Sequence, residues 1–196
     1  MKLYYLPGAC SMSSHIVINE LGKPVTLEKV DKKNGKTESG ADYSKINPRG
    51  YVPALELDSG EVLTENIAIL TYLGEGHDSL LPASGLERAR VIEVLSFLGT
   101  ELHKAFAPYF GGNAGEAETE KLKSKLGQLE AWLGDKAFLT GDDFTVADAY
   151  GFVILNWTSV VKLPLDSWPK LKAYHEKIAA RPSVKQAMQA EGLVAA

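Results

Sequence analysis

Cys10 is the only cysteine of the 196-residue chain, and its position gives it chemical interest. The apolar run Leu3 to Leu6 reads as a buried strand ended by Pro7-Gly8, and a helical stretch begins at about Cys10 to Met12. A thiol between a strand and a helix start faces unsatisfied backbone N–H groups and the positive end of the helix dipole, both of which favour thiolate. The string Cys10-Ser11-Met12-Ser13 is a C-x-x-C pattern with serine in the second place. Such a site can form a mixed disulfide with an outside thiol but has no internal partner to resolve it. The alternative reading is a small buried hydrophobe.

Three further positions have residue types suited to chemistry. Val52-Pro53 precedes an apolar run, and a proline, lacking a donor, belongs at the start or edge of a strand. In the cis form Val52 would present its N–H and C=O to an extended peptide, but only about 5–6% of X–Pro bonds are cis, so the sequence alone favours a trans strand opener. Glu65-Asn66 follows Thr64 at a predicted helix start, where free N–H groups bind a carboxylate. Asn66 can add a side-chain donor and Glu65 can hold an ammonium group, so one helix end could grip both charges of an α-amino acid; ordinary capping is the alternative. His103, in Thr100-Glu101-Leu102-His103-Lys104, lies on a predicted helix, and its functional reading needs Cys10 brought close by the fold.

Other chemistries fail on spacing. The histidines at 15, 77, 103 and 175 form no metal-ligand pair, so no metal is expected. The glycines at 111 to 115 follow no strand and make no dinucleotide loop, and neither a G-x-S-x-G nor a P-loop is present.

Composition narrows the class. A formal charge of −4, with Lys29, Lys32, Lys33 and Lys36 interleaved with Glu28, Asp31 and Glu38, argues against a nucleic-acid surface. The Met-Lys-Leu-Tyr-Tyr start carries no long apolar segment behind it, which argues against a signal peptide. The run Tyr150 to Leu155 is too short to span a bilayer. A single cysteine fits a reducing compartment. These point to a soluble cytoplasmic protein with no membrane partner.

The pattern changes near residue 80. Before it, Leu3–Leu6 and Val25–Val30 read as strands flanking a helix with Met12, Ile16 and Leu21 at the helical period. A polar loop over 31–44, with a helical turn near its end, leads to a hairpin of Ala54–Leu57 and Glu61–Leu63 around Asp58-Ser59-Gly60. A helix capped by Thr64 follows, and together these predict a small mixed sheet with helices on its faces. After the linker at 81–85, everything periodic is helical. A long helix over Leu86–Ala107 is broken by Pro108, Leu122, Leu126, Leu129 and Leu133 define a second, and Thr145-Val146-Ala147-Asp148 is a capping box. Helices over 167–180 and 182–190 complete the chain.

These strings together resemble a known family. Tyr4-Tyr5 with Pro7-Gly8-Ala9-Cys10-Ser11, Asn47-Pro48-Arg49-Gly50-Tyr51-Val52-Pro53 and Leu63-Thr64-Glu65-Asn66-Ile67-Ala68-Ile69 resemble the N-terminal domain of beta-class bacterial glutathione transferases. Glu101-Leu102-His103-Lys104 and Phe144 to Ala149 resemble its helical domain. The resemblance implies an α/β thioredoxin-like N-terminal domain over 1–80, an all-α C-terminal domain over 86–196 forming the electrophile cleft, and a homodimer. It implies glutathione as co-substrate, with Val52 pairing backbone-to-backbone beside a cis Pro53. Glu65 and Asn66 would hold the γ-glutamyl end. Cys10, Tyr51, Ser96, Thr100, His103 and Lys104 would complete the site, and Lys36 would reach the glycine carboxylate. Two departures stand out: many relatives have serine where Asn66 stands, and Gly35 precedes a single Lys36 where many carry two lysines.

The implied reaction is attack of glutathione thiolate on a small hydrophobic electrophile, a detoxification, with Tyr5, Ser11, Cys10 and His103 as candidates to activate the thiol. Alternatives are a glutathione-dependent thiol–disulfide oxidoreductase or reductive dehalogenase using Cys10, and a noncatalytic hydrophobic-ligand binder.

Overall fold

The computed structural model describes residues 1–195. In chain order the elements are β1 (Lys2–Tyr5), α1 (Ser11–Glu20), β2 (Thr26–Asp31), β3 (Lys36–Thr37), β4 (Ala54–Glu56), β5 (Val62–Thr64) and α2 (Asn66–Gly74). Then follow α3 (Gly85–Phe97), α4 (His103–Phe110), α5 (Glu116–Leu133), α6 (Val146–Val160), α7 (Pro169–Ala179) and α8 (Pro182–Ala190). They form two compact units, one of Met1–Glu75 with the chain from Arg181 onward, the other of Gly76–Ala180.

The first unit is built on a sheet of order β3-β2-β1-β4-β5. β1 and β2 pair in parallel with Leu3 opposite Leu27, because α1 supplies the crossover a parallel pair requires. β4 and β5 are an antiparallel hairpin with Leu55 opposite Leu63, as Asp58-Ser59-Gly60 predicts. Leu3, Leu55, Ile16, Ile69 and Leu70 are fully buried and make the core.

Three expectations for this unit need correction. The stripe of Met12, Ile16 and Leu21 predicts a one-sided α1, yet Ser11 to Ile18 are all buried. The cause is that α1 packs against both α2 and α8, so a third surface covers its polar side. Thr64 is not the cap of α2, because its backbone is committed to β5 opposite Ala54; Glu65 takes the cap position at φ 70°. The loop at 31–44 contains the two-residue β3, with Val30 opposite Thr37, too short to leave a periodic signal.

The second unit is helical throughout. Leu122, Leu126, Leu129 and Leu133 of α5 are all buried, and Gly134 at φ 57° ends the helix. The long helix expected over 86–107 is divided: a π-helical turn over Leu98–Leu102 separates α3 from α4, and Pro108 lies inside α4. Proline near a helix end removes a single backbone bond, so the helix survives it to Phe110. α6 is buried from Val146 to Leu155, as befits a helix at the centre of a core. No helix among the described residues is long and apolar enough to cross a membrane.

The start of α6 organises this unit. Asp148 Oδ2 accepts the Thr145 N–H at 2.8 Å and the Thr145 hydroxyl at 2.9 Å. Its Oδ1 accepts the Leu139 N–H and the Tyr174 hydroxyl, both at 2.8 Å. The carboxylate is completely buried, so desolvation pushes its pKa up while these donors pull it back. Gly151, one turn on, admits the Tyr174 hydroxyl and Leu139, which a Cβ would meet at 3.2 and 2.9 Å.

Asp148→Ala leaves two backbone N–H groups and a phenol without their buried acceptor, each costing about 1–3 kcal/mol. Urea unfolding is expected to show a loss of about 3 kcal/mol or more. A loss below about 1 kcal/mol would mean that the capping network is peripheral to stability.

Candidate functional site

In the first unit the loop between β1 and α1 is held from several sides. Gly8, at φ 70°, donates its N–H to Glu191 Oε2 at 2.9 Å. Glu191 Oε1 lies 3.0 Å from His15 Nδ1, and both side chains are buried. The Ser11 hydroxyl closes the loop from within, accepting from Leu6 N–H and lying against Leu6 C=O, each at 3.2 Å. Cys10 therefore caps α1 on a rigid turn.

The thiol of Cys10 does not have the acidity its position predicts. Burial pushes it up to about 11, outweighing the backbone N–H groups of Cys10 and Ser11 that pull it down. Although the residue is only half-buried by area, its sulfur is closely surrounded, and it donates to the Val52 carbonyl at 3.3 Å. At neutral pH Cys10 is a hydrogen-bond donor. This corrects the expectation of a stabilised thiolate.

Across from Cys10, the Val52–Pro53 peptide is cis, as the family resemblance implies and against the default from sequence alone. The preceding Tyr51 carbonyl accepts from the Tyr43 hydroxyl at 2.8 Å and from Asn47 Nδ2 at 2.7 Å, while the Tyr51 ring is exposed. The segment is thus fixed by its backbone, and no partner for the Val52 N–H is found among the described residues.

At the head of α2, Glu65 is exposed and pairs with Arg49 at 2.6 Å, a contact worth about 0–1 kcal/mol in water. Its positive φ is uncommon for a residue with a side chain. Asn66 Oδ1 accepts from the Ser13 and Ser14 hydroxyls of α1, at 3.1 and 3.3 Å. Its Nδ2 is buried and has no partner, the one such side-chain atom among the described residues. Tyr5 is buried and its pKa raised, chiefly by burial and then by Glu38 and Glu191, so it holds its proton at neutral pH. Cys10, Val52 and Pro53 are brought together. Lys36 lies in edge strand β3, with β2 and β1 between it and β4, and makes no side-chain bond to the other predicted residues.

In the second unit, Ser96 and Thr100 are exposed and their hydroxyls bond back to their own helix, to Ile92 and Ser96 carbonyls, each at 2.8 Å. His103 follows the π-helical turn and opens α4, and Lys104 beside it is exposed. His103 Nδ1 lies 2.6 Å from the Tyr150 hydroxyl, and its ring stands edge-on to Trp157 at 4.7 Å. Burial, then Lys104, pushes the imidazole down to about 4, so it is neutral near pH 7.

Sequence reasoning missed the residues that support these groups. Tyr150 and Trp157 are seven residues apart, two helical turns, so the helical period could have placed them on one stripe. Ser13 and Ser14 follow Cys10 closely, but nothing in the sequence marks them as partners of Asn66. Glu191 carries no local signal, because its partners are more than a hundred residues away.

The chain is similar to known proteins over nearly its whole length. Residues 8–75 match the family described as glutathione S-transferase, N-terminal domain, and residues 97–182 match glutathione S-transferase, C-terminal domain. The chain is 42% identical to glutathione S-transferase GstA of Escherichia coli O157:H7, over 98% of this chain and all of the relative. A beta-class glutathione S-transferase from Sphingomonas chungbukensis superposes with a TM-score of 0.94 at 46% identity, covering 99% of this chain and 100% of that one. A sphingomonad glutathione S-transferase complexed with glutathione superposes at 0.91 with 45% identity, again over 99% and 100% of the two chains.

In the ligand-free protein, alkylation of Cys10 by iodoacetamide at pH 7.5 is expected to run on the order of a hundredfold slower than for a free cysteine thiol, and to rise with pH until about 11. An inflection near pH 8.5 would mean that the thiol is less desolvated than its surroundings imply.

Proposed function

This chain belongs to the glutathione S-transferase family, and we propose that it conjugates the thiolate of glutathione to small hydrophobic electrophiles, a detoxifying reaction. Bound glutathione gives up its thiol proton to solvent, its sulfur forms the new C–S bond, and the leaving group departs from the electrophilic carbon. Thioredoxin-like residues 1–80 bind the peptide, 81–85 link, and the helices from residue 86 supply the electrophile side. The protein works in the cytoplasm as a homodimer and needs no metal.

The observation that carries this reading is the buried, unpartnered Nδ2 of Asn66 at the head of α2. A buried donor without an acceptor costs about 1–3 kcal/mol, and a ligand carboxylate at this helix start would relieve that cost. Beside it, Glu65 suits the ammonium of the γ-glutamyl group, with Arg49 as the partner it exchanges. The open Val52 N–H suits pairing with the cysteinyl residue of the peptide. In this reading Tyr51 and Lys36 serve as outer contacts, and Ser96, Thr100, His103 and Lys104 serve from the helical side. Full-length relatives named as glutathione S-transferases favour conjugation over a thiol–disulfide oxidoreductase, a reductive dehalogenase or a noncatalytic binder. The protonated state of Cys10 supports the same choice, since a redox role needs its thiolate.

Calorimetric titration with glutathione should give one saturable site per chain. Asn66→Ala should weaken binding about tenfold, the loss of one hydrogen bond to a charged acceptor. No binding heat at several temperatures, with no thermal stabilisation by glutathione, would remove the proposal.

A further inference from the structure

The peptide group joining Tyr51 to Val52 is held on one edge and open on the other. Its carbonyl accepts from the Tyr43 hydroxyl at 2.8 Å and from Asn47 Nδ2 at 2.7 Å, so both oxygen lone pairs are occupied. Its N–H, on Val52, meets no partner among the described residues. The Tyr51–Val52 bond is trans, and a planar trans peptide points its N–H away from its C=O. Donors that fix the carbonyl therefore also fix the direction of the free N–H.

The two donors are themselves fixed. Tyr43 is 2% exposed, with its ring tilted against Tyr4 at 5.7 Å in a cluster that includes Val30 and Ala54. Burial pushes its hydroxyl up to about 12, so it keeps the proton it donates throughout the neutral range. Asn47 is 3% exposed, and its amide is oriented from both ends: Oδ1 accepts the Arg49 N–H at 3.2 Å while Nδ2 gives to the Tyr51 carbonyl. The Asn47 N–H in turn donates to the Tyr43 carbonyl at 2.9 Å, and the Gly50 N–H to the Asn47 carbonyl at 2.8 Å. Two buried polar side chains on one carbonyl are more than satisfying it requires, since a single partner suffices. On the other side of Val52, its own carbonyl lies against the Cys10 thiol, so the open N–H is next to the candidate site.

We propose that Tyr43 and Asn47 are positioning residues for peptide binding: through the Tyr51 carbonyl they aim the Val52 N–H at a main-chain carbonyl of the bound thiol peptide. The proposal rests on the reading that Val52 pairs with the cysteinyl residue of glutathione. An N–H already aimed at its acceptor loses less freedom on binding than a loose peptide group would. Donors on the carbonyl also polarise the amide, so its N–H donates more strongly. Neither side chain touches the ligand in this scheme; both act through one peptide plane.

The test titrates the wild type, Tyr43→Phe and Asn47→Ala calorimetrically with glutathione. Proton–nitrogen spectra of ¹⁵N-valine-labelled protein, with the Val52 amide assigned against Val52→Ala, report on the peptide group itself. Y43F leaves the ring in its packing and the Tyr51 carbonyl still bonded to Asn47, so it folds; should N47A not fold, Y43F alone decides. Y43F is expected to weaken glutathione binding roughly fivefold, and N47A, which also frees the Arg49 N–H, roughly tenfold. The Val52 amide should move downfield when the wild type is saturated with glutathione, and should sit at a different shift in ligand-free Y43F. An unchanged Kd in Y43F overturns the positioning role. Weakened binding with a Val52 amide that Y43F does not move overturns it too, as does a wild-type amide left in place by saturating glutathione. A wild type that binds no glutathione instead removes the peptide-binding reading, and the proposal with it.

Discussion

The buried carboxylate of Glu191 is the constraint on which the first unit depends. A desolvated carboxylate is tolerated only when it is hydrogen-bonded, and its two oxygens are met by the Gly8 N–H and by His15. Those partners come from the β1–α1 loop, the middle of α1 and the segment after α8, so none can shift without stranding the others. Gly8 is required by its backbone: its φ of 70° suits glycine, whereas a Cβ there would meet only Leu193 at 3.5 Å, an ordinary contact. Arg181 adds a two-pronged grip on Glu20, at 2.8 and 2.9 Å, and Asn19 donates to the Ser183 carbonyl at 3.1 Å. Together these close α8 over α1, which is why α1 is buried on the side its sequence leaves polar.

Asp148 applies the same logic in the second unit. There the buried carboxylate ties the turn at Leu139, the cap at Thr145 and the phenol of Tyr174 to one helix start. What differs is the use made of it. Glu191 fixes a loop that carries a thiol, while Asp148 fixes a helix on which an imidazole leans. In both cases what the buried acidic group supplies is rigidity in the elements it joins.

Local signals in the sequence were enough for most of the framework. The hairpin at Asp58-Ser59-Gly60, the leucine spacing of α5 and the capping box at Thr145 each arise within one or two turns of chain, where pattern and structure obey the same short-range physics. The misreadings share a different cause. Thr64 would cap a helix in isolation, but pairing with Ala54 commits it to β5. α1 looks one-sided because the surface that buries its second face comes from the far end of the chain. The family strings single out Cys10, Val52, Glu65, Asn66 and His103 as candidates, whereas the contacts of Glu191, Ser13, Ser14 and Tyr150 leave no local signal, since they exist only through partners that folding brings to them. The cis Val52–Pro53 bond was legible through resemblance alone, because local sequence energetics favour trans.

The thiol of Cys10 shows how competing terms decide a chemical property that position alone suggests. A helix N-terminus is worth roughly 0.3–1 kcal/mol to a nearby negative charge, and up to about 2 in partly buried settings. Raising the thiol from 9.0 to about 11 corresponds to a net penalty of about 3 kcal/mol on the thiolate, so desolvation exceeds what the helix end supplies. The Val52 carbonyl, 3.3 Å away, adds to this by accepting from the thiol and offering nothing to a thiolate. Cys10 and the Val52 peptide are thus complementary to each other only while the sulfur stays protonated. That leaves Cys10 a fixed hydrogen-bond donor to the Val52 carbonyl, not a nucleophile, at neutral pH.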